Sequence, residues 1–386
     1  MPPVVVTGVR DNANITQAKK VIDMSDTIGL LRPSEEPLMS FLKIAKRNTE
    51  VANNSKFEWL EDELAPRWDA INAAAGYAAG ITALVVDNAV YFTKFDIVKV
   101  PRTGEVMLVT AYDTATQTLT VTRGYGLTAA AALVDNDPLV IIGNVNEEGA
   151  GTRELKSTQE VGKFNYTQIF KTPFGVTNTQ AATKMYGGKD LNYQQMKKGV
   201  EHKIDMGRAF TFGERKEETV NGKTKRATGG LLSFCNKNNY DAGGLTTQSE
   251  FDNNISEVIF KYGSKEKILL SSARLLSVIN GWAQGKLQVH QEAKAYGLQI
   301  FRYITPFGTY NIMNYQHILE GAIYGGYGVV IDPENIKYRP LAGRDTKLET
   351  NIQANDEDQR KDQYITEAGL EVRNPETHAV LTGVTS

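Results

Sequence analysis

The chain contains one cysteine, Cys235, among 386 residues. An intrachain disulfide is therefore excluded, and stability must come from packing or from assembly. One thiol and four histidines argue against a structural zinc site built from protein ligands alone. Cys235, next to Phe234, reads as a small semi-apolar filler. Long apolar runs are missing too. Ala129–Val134 and Leu139–Ile142 are among the longest, well short of the ~18 residues that a membrane-spanning helix needs. The opening MPPVVVTGVRDNANITQ lacks the basic start and apolar core of a secretory signal. The expectation is a protein made and kept in the cytoplasm, with no membrane partner. An excess of charge of one sign is the last absence. Lys plus Arg number 43 and Asp plus Glu 45, for a formal net charge of −2. That balance argues against gripping nucleic acid through bulk charge, which needs a basic face.

What is present is an ordinary globular composition, 41% apolar and 9% aromatic, in a chain long enough for one large domain or several smaller ones. Residues 1–54 do not make a self-sufficient domain. Ser34 is placed to cap a short helix whose first turn holds Glu35, Glu36 and Pro37, and Leu38, Phe41, Leu42 and Ala45 form its apolar stripe. An arm with one small apolar helix is expected to lie on the rest of the chain or on a neighbour.

Phe57–Leu64 reads as a strand running into an acidic turn, and Ala70–Ala83, rich in Ala and Gly, as a low-complexity connector. The character changes over 84–147. Short β-rich runs (Leu84–Val86, Phe95–Val100, Glu105–Thr110, Gln117–Thr122, Pro138–Ile142) are evenly spaced and separated by turns, the pattern of a small all-β barrel or sandwich. Asn146–Gly151 closes this insert, and Phe164–Phe170 ends the return.

Asp190 to about Arg215 is the best helix in the sequence. Tyr193, Met196, Val200, Ile204, Gly207 and Thr211 recur at helical spacing, Asp190 is the expected N-cap, and the length is roughly 40 Å at ~1.5 Å per residue. Glu218–Arg226 is a hairpin signal with Asn221-Gly222 at its turn. Residues 229–326 mix helices (Phe251–Lys261, Ser272–Gly281) with strands (Lys267–Ser271, Gln299–Thr305, Tyr310–Asn314). From Tyr327 onward strands return at Val329–Ile331, Ile336–Arg339, Leu348–Gln353, Gln363–Gly369 and Ala379–Val384.

Chemistry is thin. Gly321–Gly328 has the glycines of a phosphate loop but leads into a strand instead of a helix, so close backbone packing or a surface loop is the better reading. Glu201, His202 and Asp205 put carboxylates near an imidazole, without a second histidine in reach; a satisfied surface or interface histidine is expected. Asp356, Glu357, Asp358 and Asp362 lack the ligand spacing and central glycine of a calcium loop, and read as a solvated turn. No G-x-S-x-G elbow occurs. The sequence thus assigns no catalytic, cofactor-binding or metal-binding residue, and no cofactor.

The order of parts carries a resemblance. An arm, a loop bearing a β insert, a long helix, a mixed region and closing strands resemble, in that order, the tailed-phage capsid fold named after the Hong Kong 97 phage. Phe57–Leu64, Val121–Gly126, Glu147–Ala150, Arg226–Leu232 and His378–Val384 look like segments of the head proteins of certain short-tailed and related phages. The resemblance implies an α+β fold with an N-terminal arm (1–54), an extended loop (55–83 and 148–165) and an inserted β-barrel-like domain (84–147). It further implies a peripheral domain (166–228 and 327–386) with spine helix 190–215, and an axial domain (229–326). The implied function is a non-enzymatic major capsid protein that assembles as hexamers and pentamers into an icosahedral head around double-stranded DNA. The implied partners are further copies of itself, a scaffolding protein, a portal, a decoration protein and packaged DNA held without sequence-specific contacts. A separate scaffolding protein is expected because no long charged helical segment precedes the arm, and no covalent crosslink between subunits is expected. The competing readings are a decoration or tail protein, and an enzyme or carbohydrate-binding module using the β insert for recognition.

Overall fold

A computed structural model describes residues 37–44, 49–183, 189–283 and 300–385. The expected Ser34 cap and the stripe residue Ala45 lie outside these. The chain divides into two compact units, one spanning Leu60–Gly162 and the other combining residues up to Trp59 with Lys163 onward.

The larger unit begins with α1 (Pro37–Ile44), whose Leu38, Met39 and Leu42 are fully buried in the main core beside Met206, Phe210 and Tyr338. The described part of the arm is therefore covered by its own chain. Residues 49–52 continue the attachment, with Glu50 N–H and Ala52 N–H donating to the Tyr338 and Pro340 carbonyls at 3.0 and 2.8 Å. Strand β1 (Lys56–Glu61) buries Phe57 and Trp59 on one face and exposes the alternate residues.

The Leu60–Gly162 unit holds six antiparallel strands: β2 (Trp68–Ala70), β3 (Ala83–Val85), β4 (Asp96–Lys99), β5 (Val106–Asp113), β6 (Thr118–Thr122) and β7 (Pro138–Asn144). Their order is β2-β7-β4-β5-β6-β3, and an Ile71–Val86 bridge joins the two outer strands, closing a small barrel. Leu84, Val98, Met107, Val109, Leu119, Val121 and Leu139 fill it. The expected insert, 84–147, is narrower than this unit. The Ala/Gly-rich stretch is not a passive connector: Ile71 is fully buried, and Tyr77 N–H bonds the Leu133 carbonyl at 2.8 Å. Gly76 makes that return possible, with φ +64° and no room for a side chain, since a Cβ would sit 2.4 Å from the Leu133 oxygen.

Strand β8 (Val161–Tyr166) pairs with β1, and β9 (Gln168–Thr177) leads through α2 (Asn178–Ala182) to α3 (Asp190–Phe212). The 23 residues of α3 make about 35 Å of helix. Lys189, not Asp190, is the N-cap; Asp190 lies in the first turn and accepts from the Gln180 amide at 2.6 Å. The buried stripe keeps the expected Gly207 and Thr211 but is otherwise shifted. His202, Met206, Gly207, Phe210 and Thr211 face the core, while Met196 stays 49% exposed. The hairpin β10 (Lys216–Val220) and β11 (Lys223–Ala227) follows in the expected register, with Asn221 and Gly222 both at positive φ.

Beyond it come α4 (Leu231–Phe234), β12 (Asn239–Gly244), and a helical stretch in which α5 (Gln248–Phe251) and α6 (Glu257–Ile259) flank a π-helical turn. Then follow β13 (Glu266–Ser271), α7 (Ala273–Ala283), β14 (Ile300–Ile304), β15 (Thr309–Asn314), α8 (Gly321–Tyr324), β16 (Gly328–Ile331), β17 (Ile336–Pro340), β18 (Lys347–Glu349), β19 (Gln359–Val372) and β20 (Ala379–Val384). One sheet runs β12-β20-β16-β13-β15-β14; in another, the long β19 pairs with β9, β17 and β18. The expected boundary near residue 326 runs through the first sheet, which joins β12–β15 to β16 and β20.

Candidate assembly surface

The residues singled out for chemistry are used structurally. His202 is buried, not superficial, and bridges two strands: its Nδ1 lies 2.8 Å from Thr172 Oγ1 on β9 and its Nε2 2.8 Å from Thr366 Oγ1 on β19. Glu201 turns away to Lys198 at 2.5 Å. In the acidic turn, Glu357 meets Lys361 at 2.6 Å and Asp358 accepts from Asn178 at 2.5 Å. Asp362 receives Asn351 N–H at 2.9 Å. The glycines after α8 serve close packing: a Cβ at Gly326 would lie 2.4 Å from the Val384 oxygen, and one at Gly328 2.3 Å from Leu275. Cys235 is fully buried, and burial pushes its thiol up to about 12. Among the described residues, no group of three or more His, Cys, Asp or Glu is arranged to hold a metal ion. No described helix is long and apolar enough to cross a membrane.

Three polar clusters that sequence patterns did not reveal hold the scaffold in shape. Lys267 and Asp332, both fully buried, meet at 2.7 Å, and Asp332 also accepts from Ser264 N–H, Glu334 N–H and the Asn335 amide. His378 completes this cluster, accepting Asp332 N–H at Nδ1 and donating from Nε2 to the Arg373 carbonyl at 3.0 Å. Burial lowers its imidazole to about 4, so it is neutral near pH 7. In the barrel unit, Arg123 pairs with Glu105 through two 2.8 Å bonds and also donates to the Ile81 carbonyl. Burial pushes the Glu105 carboxyl up, but Arg123 and the N–H groups of Ala131 and Gly124 outweigh it and hold it below its ordinary value. Glu50 engages Lys337 and Arg339, fixing the arm to β17; its carboxyl falls to about 2 through the Lys337 bond, against a smaller effect of burial. The oppositely charged partners in these clusters are remote from one another in the chain, beyond any local pattern.

The surface has the opposite character. Large apolar side chains stand in water on both units, among them Leu60, Leu64, Trp68, Ile142 and Leu155 on the barrel unit and Leu245, Ile304 and Ile323 on the other. Trp68 sits opposite Val140 on β7, whose outward face also carries Ile142. Single exposed apolar residues are normal, whereas contiguous apolar patches mark contact surfaces.

The solved structures that the chain resembles fit that reading. A chain from Mycobacterium phage Bobi superposes with TM-score 0.53 at 8% identity, covering 97% of this chain and 99% of that one. The capsid chain of a native GTA particle gives TM-score 0.50 at 11% identity, covering 96% and 97%. The fold is thus the Hong Kong 97 type. A curated major capsid protein from Pseudomonas phage PaMx41 is 25% identical over 334 residues, 80% of this chain and 79% of that protein. The chain belongs to the SU10 major capsid protein family, whose model matches residues 7–385.

Proposed function

We propose that this major capsid protein tiles as hexamers and pentamers into a closed icosahedral head around double-stranded DNA. The observation that carries the reading is the apolar surface left open on both units, which a solitary chain gains nothing by exposing. In this reading the Leu60–Gly162 unit serves as the extended loop with its barrel, and α3 is the spine of the peripheral region. The 229–326 region faces the capsomer centre. Of the arm expected over 1–54, α1 and residues 49–52 pack on their own chain, and residues 1–36 lie outside those described.

The near-neutral charge supports an inner face that contains DNA without holding it tightly. A scaffolding protein, a portal and a decoration protein are the further partners, and synthesis takes place in the host cytoplasm. Electron microscopy of the purified chain, alone and co-expressed with its scaffold, tests the reading. Closed particles with five- and six-fold capsomers are expected, and the chain should be the dominant band of purified virions. A stable monomer at high concentration under both conditions would refute it.

A further inference from the structure

We propose that Asn221 is a self-modifying site, at which the β10–β11 turn converts an asparagine to isoaspartate and aspartate with water as the co-reactant. The chain has two Asn-Gly pairs, Asn221-Gly222 and Asn280-Gly281. In such a pair the backbone nitrogen of the glycine can attack the side-chain carbonyl carbon of the asparagine. The new N–C bond closes a succinimide ring. The C–N bond of the side-chain amide breaks, the proton from the glycine nitrogen ends on the departing nitrogen, and ammonia leaves. Water then opens the ring. Attack at the side-chain carbonyl gives aspartate, and attack at the main-chain carbonyl gives isoaspartate. Nothing is oxidised or reduced.

The fold selects Asn221 over Asn280. Val220 and Lys223 are directly opposite, so Asn221 and Gly222 form a two-residue turn, at φ 52° and 71°. Among the described residues, neither Gly222 N–H nor the Asn221 side chain has a hydrogen bond. A Cβ at Gly222 would meet nothing within 4 Å, so no neighbour screens the nucleophile. Closing the ring also demands that the Asn221 backbone rotate out of its turn conformation. That rotation meets little resistance here. Every residue from Lys216 to Lys225 is exposed, and a lone two-stranded ribbon is marginal in water. Asn280 has the same chemistry in a locked setting. It lies with Gly281 inside α7, beside the buried Val278 and Ile279 and the partly buried Trp282. There the glycine nitrogen belongs to the helical ladder, and rotating Asn280 would break a helix docked in a core. The product changes the ribbon. Isoaspartate adds one carbon to the main chain, so Val220 and Lys223 lose their register.

The full-length, unassembled chain tests this, incubated in mildly alkaline buffer and then digested under acidic conditions for peptide mass spectrometry. The peptide holding Asn221 should gain about 1 Da with time and become a substrate for an isoaspartyl methyltransferase. The modified fraction at Asn221 should exceed that at Asn280 at least about tenfold, because the α7 site opens far less often. In urea the two sites should converge. Asn221→Asp, which already carries the product acid, should show no gain. T219C/T224C joins two directly opposite residues whose hydroxyls lie 3.1 Å apart. Oxidised, that clasp should slow the change, and reduction should restore the rate. Equal fractions at the two sites in the folded chain, or no change at Asn221, would overturn the proposal. A clasped turn that reacts as fast as the open one would overturn it equally.

Discussion

Deleting the two halves of the buried Lys267–Asp332 pair should destabilise the fold unequally, with the acid the costlier loss. Lys267→Met leaves Asp332 still accepting from Ser264 N–H at 2.9 Å, Glu334 N–H at 3.0 Å and the Asn335 amide at 3.2 Å. The carboxylate stays well solvated by the protein, so the cost belongs at the low end for breaking a buried pair, about 3 kcal/mol. Asp332→Ala leaves a fully buried ammonium with the Tyr262 carbonyl at 3.2 Å, and strips two backbone N–H groups of their acceptor. Each such orphan costs about 1–3 kcal/mol, which brings the total to about 5 kcal/mol or more.

The double variant K267M/D332A removes the stranded ammonium and should be more stable than Asp332→Ala alone. A pH series sharpens the argument. Burial pushes the Lys267 amine down, and without Asp332 nothing nearby opposes that shift strongly. The unfolded chain then binds the proton more readily than the folded one, so Asp332→Ala should regain stability as pH rises toward about 10.5. Urea unfolding of the unassembled chain at one fixed concentration is the assay. If Asp332→Ala costs less than about 1 kcal/mol, or no more than Lys267→Met, the account of this cluster as an ion pair in a dry interior is wrong.

His378 should make the fold acid-sensitive. Its folded value of about 4 lies below the ordinary 6.5, so its contribution is complete above pH 6.5 and is lost as pH falls toward 4. The loss should be on the order of 3 kcal/mol, and His378→Gln should flatten the pH dependence of the unfolding midpoint in that window. Removal of residues 1–36 should leave a chain with near-native unfolding that no longer forms shells. Extending the deletion through residue 45 takes Leu38, Met39 and Leu42 out of the core and should cost at least about 3 kcal/mol, read as a lowered urea midpoint. Replacing 62–160 with a short Gly-Ser bridge should leave one cooperative transition. Cutting at 84–147 instead leaves Ile71 and Tyr77 without their barrel and should promote aggregation, measured by light scattering.

Local periodicity made most of the strands and the long helix legible. The barrel runs alternate, and Asn221-Gly222 announces its own turn. Reading failed where the decisive partner is remote. Only part of the α3 stripe is legible, because His202, polar by type, faces inward between two threonines, while Met196, apolar by type, faces outward. The 70–83 stretch reads as featureless because its main anchors, Ile71 and Tyr77, stand amid alanines and glycines. The arm helix leaves its cover open between the rest of the chain and a neighbour, because the residues that cover it, Met206, Phe210 and Tyr338, come far later in the chain. For the function, the order of parts was informative, whereas no residue pattern marked the contact surface, since exposure is a property of the folded molecule.

The six-stranded sheet also imposes a timetable. Strand β20 lies between β12 and β16, so residues 239–244 have no ladder until residues 379–384 arrive. A chain delivered in sequence must therefore extend through residue 384 before that layer can close. A product interrupted before β20 lacks the seam that joins β12 to β16. In a structure made from many identical bricks, β20 acts as the inspector of each one.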